Sequence, residues 1–191
     1  YWGRPVPGFG DPRARLILIG LAPGAHGSNR TGRMFTGDAS GDFLYPALHR
    51  AGFASRPDAT GRDDGLTLTD CFITAAVRCA PPGNKPNRAE FEACAPYLAR
   101  ELKLLKRAQV FLALGRIGFD ELCRALPGMG IEVPKEARKA FGHGAEIRLG
   151  EGERAIVCSY HPSRQNTQTG RLTPRMFSDV FRRVNRLLDG G

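Results

Sequence analysis

Two loops, far apart in the sequence, carry the residues of this chain that are best suited to chemistry. The first loop covers residues 20–38 and contains Phe35 and Asp38, and the second loop covers residues 161–166 and begins with His161. Each loop follows a short apolar run of the kind that forms a buried strand. Because ligands bind beyond the carboxyl ends of the strands in open α/β sheets, we expect the two loops to share one site.

Each of these three side chains also has an ordinary structural explanation. Phe35 could anchor the core, or it could be a platform on which a flat ring stacks. Asp38 could cap the helix predicted to follow it, as Asp often does, or it could act as a catalytic carboxylate. His161 could be a structural histidine, or it could donate a hydrogen bond to charge that develops on a leaving group.

The first loop also comes close to a phosphate-binding pattern. Residues 27–34 read GSNRTGRM, whereas a P-loop needs Lys on the phosphates and a Ser or Thr hydroxyl on magnesium. Arg33 and Met34 stand at those two positions. This difference argues against nucleoside triphosphate chemistry, although the glycines still allow the backbone to approach an anion or a base.

Alternating strands and helices are predicted to position these loops. The strands are predicted at 15–19, 70–77 and 109–115, with a hairpin formed by 145–149 and 155–159. The helices are predicted at about 38–51, 87–106, 117–126 and 174–188. Residues 127–134, rich in Pro and Gly, are predicted to lie on the surface. The order predicts one α/β domain over residues 1–191, with three α/β/α layers around a mainly parallel four-stranded sheet.

The charge of the chain favours a polyanionic partner. The 191 residues include 28 Lys and Arg against 19 Asp and Glu, which gives a net charge of +9. Such an excess is typical of nucleic-acid binding, although basic proteins without that role also exist. Because the sequence has neither a run of about 18 apolar residues nor a signal-like start, we expect a cytoplasmic protein without a membrane partner.

The five cysteines divide into two groups. They are odd in number in a chain without secretory marks, which argues against a disulfide framework. Cys71, Cys123 and Cys158 lie in apolar runs or on an apolar helix face and are predicted to be buried. Cys79 and Cys94 differ, because one follows a strand and the other lies on the next predicted helix.

Three segments together resemble the uracil-DNA glycosylase superfamily. They are residues 20–38 (GLAPGAHGSNRTGRMFTGD), 77–86 (VRCAPPGNKP) and 161–171 (HPSRQNTQTGR). Within the superfamily they are most similar to family 5, the type B enzymes, and the likeness extends from Tyr1 to about Leu188. The resemblance implies an enzyme that flips uracil, and also hypoxanthine or xanthine, out of DNA and hydrolyses the N-glycosidic bond, initiating base excision repair.

The resemblance also implies roles for individual residues. Asp38 would position the water or stabilise the sugar cation, Asn84 would bind the base or sugar, and His161 would hydrogen-bond the base oxygen. The base pocket is expected to be formed by Gly20, Leu21, Ala22, Pro23, Gly24, Ala25 and Phe35. Contacts to DNA are expected from Arg30, Arg33, Lys85, Ser163, Arg164, Gln165, Asn166 and Arg171. The expected partner is double-stranded DNA, and also single-stranded DNA, bound by a monomer.

The sequence departs from the family pattern in two places. Many relatives carry an acidic or amide residue just after the Pro of the first loop, where Gly24 and Ala25 stand here. Activation of water is therefore expected to fall to Asp38 and Asn84. Members of families 4 and 5 hold a [4Fe-4S] cluster on four cysteines. Cys79 and Cys94 match two of these ligands, and the other two are expected upstream of Tyr1.

Two functions other than a glycosylase make different demands on the sequence. A non-catalytic protein of the same fold that binds damaged DNA would keep the basic surface but would not need both Asp38 and His161, which are present. A hydrolase that acts on free nucleotides would not need so large an excess of positive charge. The glycosylase is therefore the favoured function.

Overall fold

A six-stranded sheet organises residues 1–190, the part of the chain that the computed structural model describes. The strands are β1 (Phe9–Gly10), β2 (Leu16–Gly20), β3 (Cys71–Ala75), β4 (Val110–Leu114), β5 (Glu146–Leu149) and β6 (Arg154–Ser159). Their order across the sheet is β1-β3-β2-β4-β6-β5. The four central strands are parallel, and β1 and β5 pair antiparallel at the two edges.

Helices and short 3₁₀ turns connect the strands. The helices are α1 (Ser28–Thr31), α2 (Ala39–Arg50), α3 (Arg88–Leu104), α4 (Arg116–Ala125), α5 (Arg164–Gln168) and α6 (Pro174–Asp189). The 3₁₀ turns are Pro82–Asn84, Leu126–Met129 and Ala137–Lys139. Asn87 and Glu90 form a capping box at the start of α3, and Thr173 caps α6 with Pro174 at its first position.

The core lies in two layers, one on each face of the sheet. Leu16 and Leu18 of β2 face the layer that contains α2 and α6, whereas Ile17 and Ile19 face the layer that contains α3 and α4. Because both faces are covered, the central strands are continuous apolar runs rather than alternating ones. The α/β class and the three layers are thus confirmed.

Two details of the predicted fold are wrong. The sheet has six strands rather than four, because the antiparallel hairpin strand β5 and the short strand β1 extend the parallel core. The segment 127–134 is not all on the surface, because Ile131 and Val133 are buried in the layer with α3 and α4. Pro and Gly limit the backbone of such a segment, but they do not prevent its apolar side chains from packing.

Glu101 of α3 ties three parts of the chain together. Its carboxylate accepts hydrogen bonds from the Gly8 backbone N–H and the Thr74 hydroxyl, and it forms an ion pair with Arg78. Arg78 follows β3 and is buried. This network fixes the end of β3 and the start of the next loop relative to α3. Among residues 1–190, no helix is long and apolar enough to cross a membrane.

Candidate active site

A cavity of about 520 Å³ lies where β2, β3 and β6 end. The first and second loops both line it, as their positions after parallel strands predict. All three residues predicted to be catalytic and all seven predicted to form the base pocket are among its lining residues. Its walls are Gly20, Leu21, Ala22, Pro23, Gly24, Ala25, His26, Gly27, Ser28, Met34, Phe35, Asp38, Ala39, Ser40, Ala75, Pro81, Asn84, His161, Ser163 and Arg164.

Phe35 belongs to both the core and the cavity. Only 8% of the residue is exposed, and it packs in the core layer with α2. Its ring passes so close to Gly20 that a Cβ there would lie 2.9 Å from the Phe35 ring. Its centroid is 5.9 Å from the His161 ring, with the planes 32° apart. The backbone φ of Phe35 is +52°, a strained value for a bulky residue, and strain of this kind is concentrated at functional sites.

The two carboxylate oxygens of Asp38 have different surroundings. Oδ1 caps α2 by accepting hydrogen bonds from the backbone N–H groups of Ser40 (3.0 Å) and Gly41 (3.2 Å). Oδ2 lies against the first loop, where a Cβ at Gly24 would be 3.1 Å away and a Cβ at Gly27 would overlap it. The cap and the catalytic role are therefore compatible, because one oxygen serves the helix and the other remains for the cavity.

His161 enters the cavity as a neutral imidazole. Burial lowers its pKa from 6.5 to about 4, and the negative charge of Asp38 only partly opposes this effect. A neutral ring carries one N–H group and can donate one hydrogen bond without bringing a positive charge. Gly115 makes room for it, since a Cβ there would lie 3.2 Å from the His161 Cβ.

Asn84 lies at the lip of the cavity on the third loop. It closes the 3₁₀ turn after β3 and is exposed, with a backbone φ of +57°. Its backbone N–H donates to the Pro81 carbonyl over 3.1 Å. The turn leaves the amide side chain available to a ligand at the mouth of the cavity.

His143 supports the second loop and was not assigned a role from the sequence. Its Nδ1 accepts a hydrogen bond of 3.2 Å from the Tyr160 backbone N–H, and the two rings stack with centroids 5.0 Å apart. Arg171 covers the Tyr160 ring at 4.7 Å. Burial lowers the pKa of His143, which favours the neutral form that can accept this bond. A histidine flanked by Gly142 and Gly144 beside the predicted hairpin was the available signal.

Arg33 is not a DNA contact, contrary to the sequence prediction. It is 3% exposed, and its Nη1 and Nη2 donate to the two carboxylate oxygens of Asp64 at 2.8 and 2.6 Å. Its Nε donates to the Thr36 hydroxyl. The ion pair, together with backbone N–H groups of Thr60, Gly61 and Leu66, lowers the pKa of Asp64. A buried guanidinium needs such a partner, so Arg33 is committed to the fold of the first loop.

The other predicted DNA contacts divide into exposed groups and groups that hold a loop. Arg30 is exposed, but its Nε donates to the His26 carbonyl and its Nη2 to the Gly37 carbonyl. Ser163 caps α5, and the Asn166 amide donates to the His161 carbonyl over 2.9 Å. The remaining exposed side chains are those of Lys85, Arg164, Gln165 and Arg171. Their contacts with DNA stay predictions.

The cysteines have the predicted burial. Cys71, Cys123 and Cys158 are buried, whereas Cys79 is exposed and Cys94 is partly buried. Burial raises the pKa of Cys79. Within residues 1–190, no group of three or more His, Cys, Asp or Glu side chains is placed to hold a metal. The assignment of Cys79 and Cys94 as two of four cluster ligands stays a prediction.

Known proteins resemble this chain over nearly its whole length. The family model of the uracil DNA glycosylase superfamily matches residues 7–185. The type-5 uracil-DNA glycosylase of Thermus thermophilus is 56% identical over 187 residues, which are 98% of this chain and 82% of the relative. The type-5 enzyme of Mycobacterium tuberculosis is 50% identical over 188 residues, or 98% of this chain and 68% of the relative.

Relatives from archaea extend this similarity to a second type. The type-5 uracil-DNA glycosylase of Pyrobaculum aerophilum is 44% identical over 184 residues, 96% of this chain and 76% of the relative. The type-4 uracil-DNA glycosylase of the same organism is 34% identical over 164 residues, 85% of this chain and 74% of the relative. The cavity lies at the ends of parallel strands, and the family model covers all of the residues that line it. This chain therefore belongs to the uracil-DNA glycosylase superfamily.

Proposed function

We propose that this protein removes uracil from DNA by hydrolysing the N-glycosidic bond, the first step of base excision repair. The observation that carries the proposal is the cavity in which Phe35, Asp38 and His161 meet, in a chain 56% identical to a type-5 uracil-DNA glycosylase. A base inside a duplex is out of reach of such a cavity. The nucleotide must therefore be extruded, which costs a few kcal/mol of lost stacking and pairing.

The cavity suits a flat, uncharged base. Its volume of about 520 Å³ lies within the range of about 300–1,000 Å³ that is common for small-ligand pockets. The Phe35 ring supplies a surface for stacking, and the glycines of the first loop allow the backbone to approach the base edge. This volume supports a tolerant pocket, and we extend the proposal to hypoxanthine and xanthine.

The reaction follows from the positions of the two reactive side chains. The bond between C1′ and the base nitrogen breaks, and its electron pair remains on the base, where negative charge spreads to a carbonyl oxygen. The neutral His161 N–H donates to that oxygen, and one such preorganised donor contributes about 3–4 kcal/mol. A water oxygen bonds to C1′, and its proton passes to a carboxylate and finally to the departing base.

Asp38 is the carboxylate that fits this role. Its Oδ2 lies beside Gly24, the position at which the family pattern offers an acidic or amide side chain. The negative charge of Asp38 also stabilises the positive charge that develops on the sugar. Asn84, at the lip of the cavity, is proposed to bind the sugar or base and to help orient the water.

A [4Fe-4S] cluster is a further part of the proposal. Cys79 is exposed and Cys94 is partly buried, so both thiols are open to a ligand, whereas the other three cysteines are buried. Such a cluster would crosslink the loop after β3 to α3. Iron analysis of the full-length protein should find iron that is lost in a Cys79→Ser/Cys94→Ser variant and kept in Cys123→Ser. Protein without iron or absorbance near 400 nm contradicts this part alone.

The function is tested with duplexes that carry a single uracil, hypoxanthine or thymine. The protein is expected to release uracil and hypoxanthine, leave thymine in place and act as a monomer at every protein concentration tested. Single-stranded DNA with uracil is expected to be a substrate too, because its base is already unstacked. Binding to uracil-containing DNA without release of the base would instead support a non-catalytic damage-binding protein.

A further inference from the structure

Arg4 and Arg62 lie together on one aromatic ring near the cavity. The guanidinium carbon of Arg4 is 4.9 Å from the centre of a Trp2 ring, and that of Arg62 is 4.1 Å away. Both arginines are exposed. None of the ion pairs among residues 1–190 includes either of them. Two positive charges therefore share one indole without a carboxylate to balance them.

The segment that carries Trp2 is fixed to the first loop. The Trp2 backbone N–H donates to the Asn29 carbonyl of α1 over 2.8 Å. The Trp2 ring lies so close to Gly32 that a Cβ there would be 2.6 Å from it, and the Arg62 side chain approaches the same point. Next to Trp2, the Tyr1 hydroxyl bonds to Nδ1 of His26, a residue of the cavity wall, at 2.7 Å. The paired charges thus have a defined position beside the cavity.

The arginines of the first loop are not available in the same way. Arg33 is buried on Asp64, and Arg30 uses two of its nitrogens to hold the carbonyls of His26 and Gly37. On this side of the cavity, Arg4 and Arg62 are guanidinium groups with open hydrogen-bonding capacity. Guanidinium groups match the geometry of phosphate oxygens, and stacking on an aromatic ring keeps them oriented.

We propose that Trp2, Arg4 and Arg62 form a phosphate-binding surface that holds the DNA backbone beside the extruded nucleotide. The inference rests on the proposed function, because it takes DNA as the occupant of the cavity. Duplex DNA carries a phosphate at every nucleotide, so a strand whose base enters the cavity presents phosphates to the surface next to it. The contact is independent of base sequence, because phosphates carry no sequence information directly.

The test is the salt dependence of DNA binding. The logarithm of the binding constant falls as the logarithm of the salt concentration rises. Each lost phosphate contact makes this fall less steep by about 0.9 for B-DNA. Fluorescence anisotropy with a labelled duplex that holds a tetrahydrofuran abasic analogue should give a slope about 1.8 smaller for Arg4→Ala/Arg62→Ala than for wild type. Trp2→Ala should lower the affinity, and Trp2→Phe should restore part of it, because a ring is again present under the guanidinium groups.

The matched control is Lys106→Ala/Arg107→Ala. These residues are exposed and precede β4, at the end of the parallel strands away from the cavity. The control removes the same two positive charges, and its slope should stay near that of wild type. Equal slopes for the two double variants would show that the change in salt dependence comes from net charge alone, and this result would overturn the proposal. An unchanged slope for Arg4→Ala/Arg62→Ala would overturn it too. Melting temperatures check that each variant is folded.

The design separates this inference from the proposed function. Single-turnover release of uracil by the wild type tests the glycosylase function, and the slopes of the salt dependence test the surface. If the wild type releases no base but the slopes of the wild type and Arg4→Ala/Arg62→Ala differ as expected, the glycosylase function is contradicted and the phosphate-binding surface is supported. If uracil is released but the slopes match the control, the surface fails alone. If the surface binds an acidic peptide in preference to DNA, its partner is a protein, and this result would also overturn the proposal.

Discussion

The carboxylate of the first loop is positioned by residues close to it in the sequence, whereas the imidazole of the second loop is positioned by residues beside other strands. Asp38 is held by the amides of the helix that it caps and lies between glycines of the same loop. His161 instead lies against Gly115, which follows β4, and the residue before it is held by His143, which precedes β5. One reactive group is thus specified locally and the other by the assembled sheet.

This difference shows which parts of the site a sequence motif can carry. A carboxylate that is positioned by its sequence neighbours appears within one continuous motif, as Asp38 does in residues 20–38. A loop that is supported from outside contributes a short motif, and its supporting residues are scattered along the chain. Substitutions in the two regions should therefore have effects of different kinds.

The largest effect is expected at Asp38. Replacing it with Asn should lower the rate of uracil release by about 10²- to 10⁴-fold, because the base for the attacking water is lost. Asn caps a helix about as well as Asp, so the melting temperature should change little, whereas Asp38→Ala should also cost about 1 kcal/mol of stability. Single-turnover kinetics and thermal melting measure the two effects. An Asn variant with full activity would remove Asp38 from the reaction.

The next effect concerns the pair that shapes the first loop. Asp64→Ala leaves Arg33 buried without a partner, and breaking a buried ion pair in this way costs about 3–5 kcal/mol. The control is Asp58→Ala, which breaks the pair with Arg56, in which both side chains are substantially exposed. Exposed pairs are screened by solvent and contribute little to stability. Urea unfolding should separate the two variants, and equal losses would contradict a structural role for Arg33.

The neutral state of His161 should be visible in the pH dependence of the protein's stability. Its folded pKa of about 4 lies below its ordinary value of 6.5, so the unfolded chain binds this proton first as the pH falls. This group therefore weakens the fold as the pH drops from about 6.5 to about 4, and its effect is absent above that window. His161→Asn should remove this component and lower activity at pH 7 by about 10²- to 10³-fold.

The activity profile gives an independent check on His161. Between pH 5 and pH 8 the rate of the chemical step should show no inflection that belongs to an ordinary histidine near 6.5. A wild-type rate that rises as the pH falls through an inflection near that value, with no inflection in His161→Asn, would show that the charged ring is the active form. The hydrogen bond to the base would then be donated by an imidazolium rather than by a neutral ring.

The smallest expected effect is at His143. Replacing it with Ala removes the acceptor for the partly buried Tyr160 N–H, and the loss of one such hydrogen bond costs about 1 kcal/mol. The rate of uracil release should fall about 10-fold, roughly the factor for 1.4 kcal/mol, with KM little changed, because the loop before His161 loses its support. His143→Asn, whose amide oxygen stands near the position of Nδ1, should recover part of the rate. Equal rates in all three proteins would leave His143 with a purely structural role.

The sequence was sufficient for the layers, the parallel core and the meeting of the loops. Strong apolar runs predicted the central strands, and the rule that parallel strands end together brought residues 20–38, Asn84 and His161 to one edge. Strand β1 could not be predicted, because its two residues pair through backbone groups that carry no apolar pattern.

Contacts between side chains that are distant in the sequence could not be predicted. Arg33 looks like a phosphate contact until Asp64 is placed beside it by the fold. The same holds for the pairing of Arg4 with Arg62 on Trp2, and for His143 under Tyr160. Local patterns identified the residue types of the site, but the tertiary fold decides which charged groups are compensated and which remain open.

The cap at the start of α2 also has a consequence for heat inactivation. Asp38 is held by the first turn of a twelve-residue helix whose Leu44, Tyr45 and Leu48 are fully buried. The Asp38 carboxylate, which we propose to be catalytic, is therefore fixed as firmly as that helix. The catalytic geometry should survive until α2 leaves the core, so the temperature at which activity disappears should coincide with the temperature at which the whole domain melts.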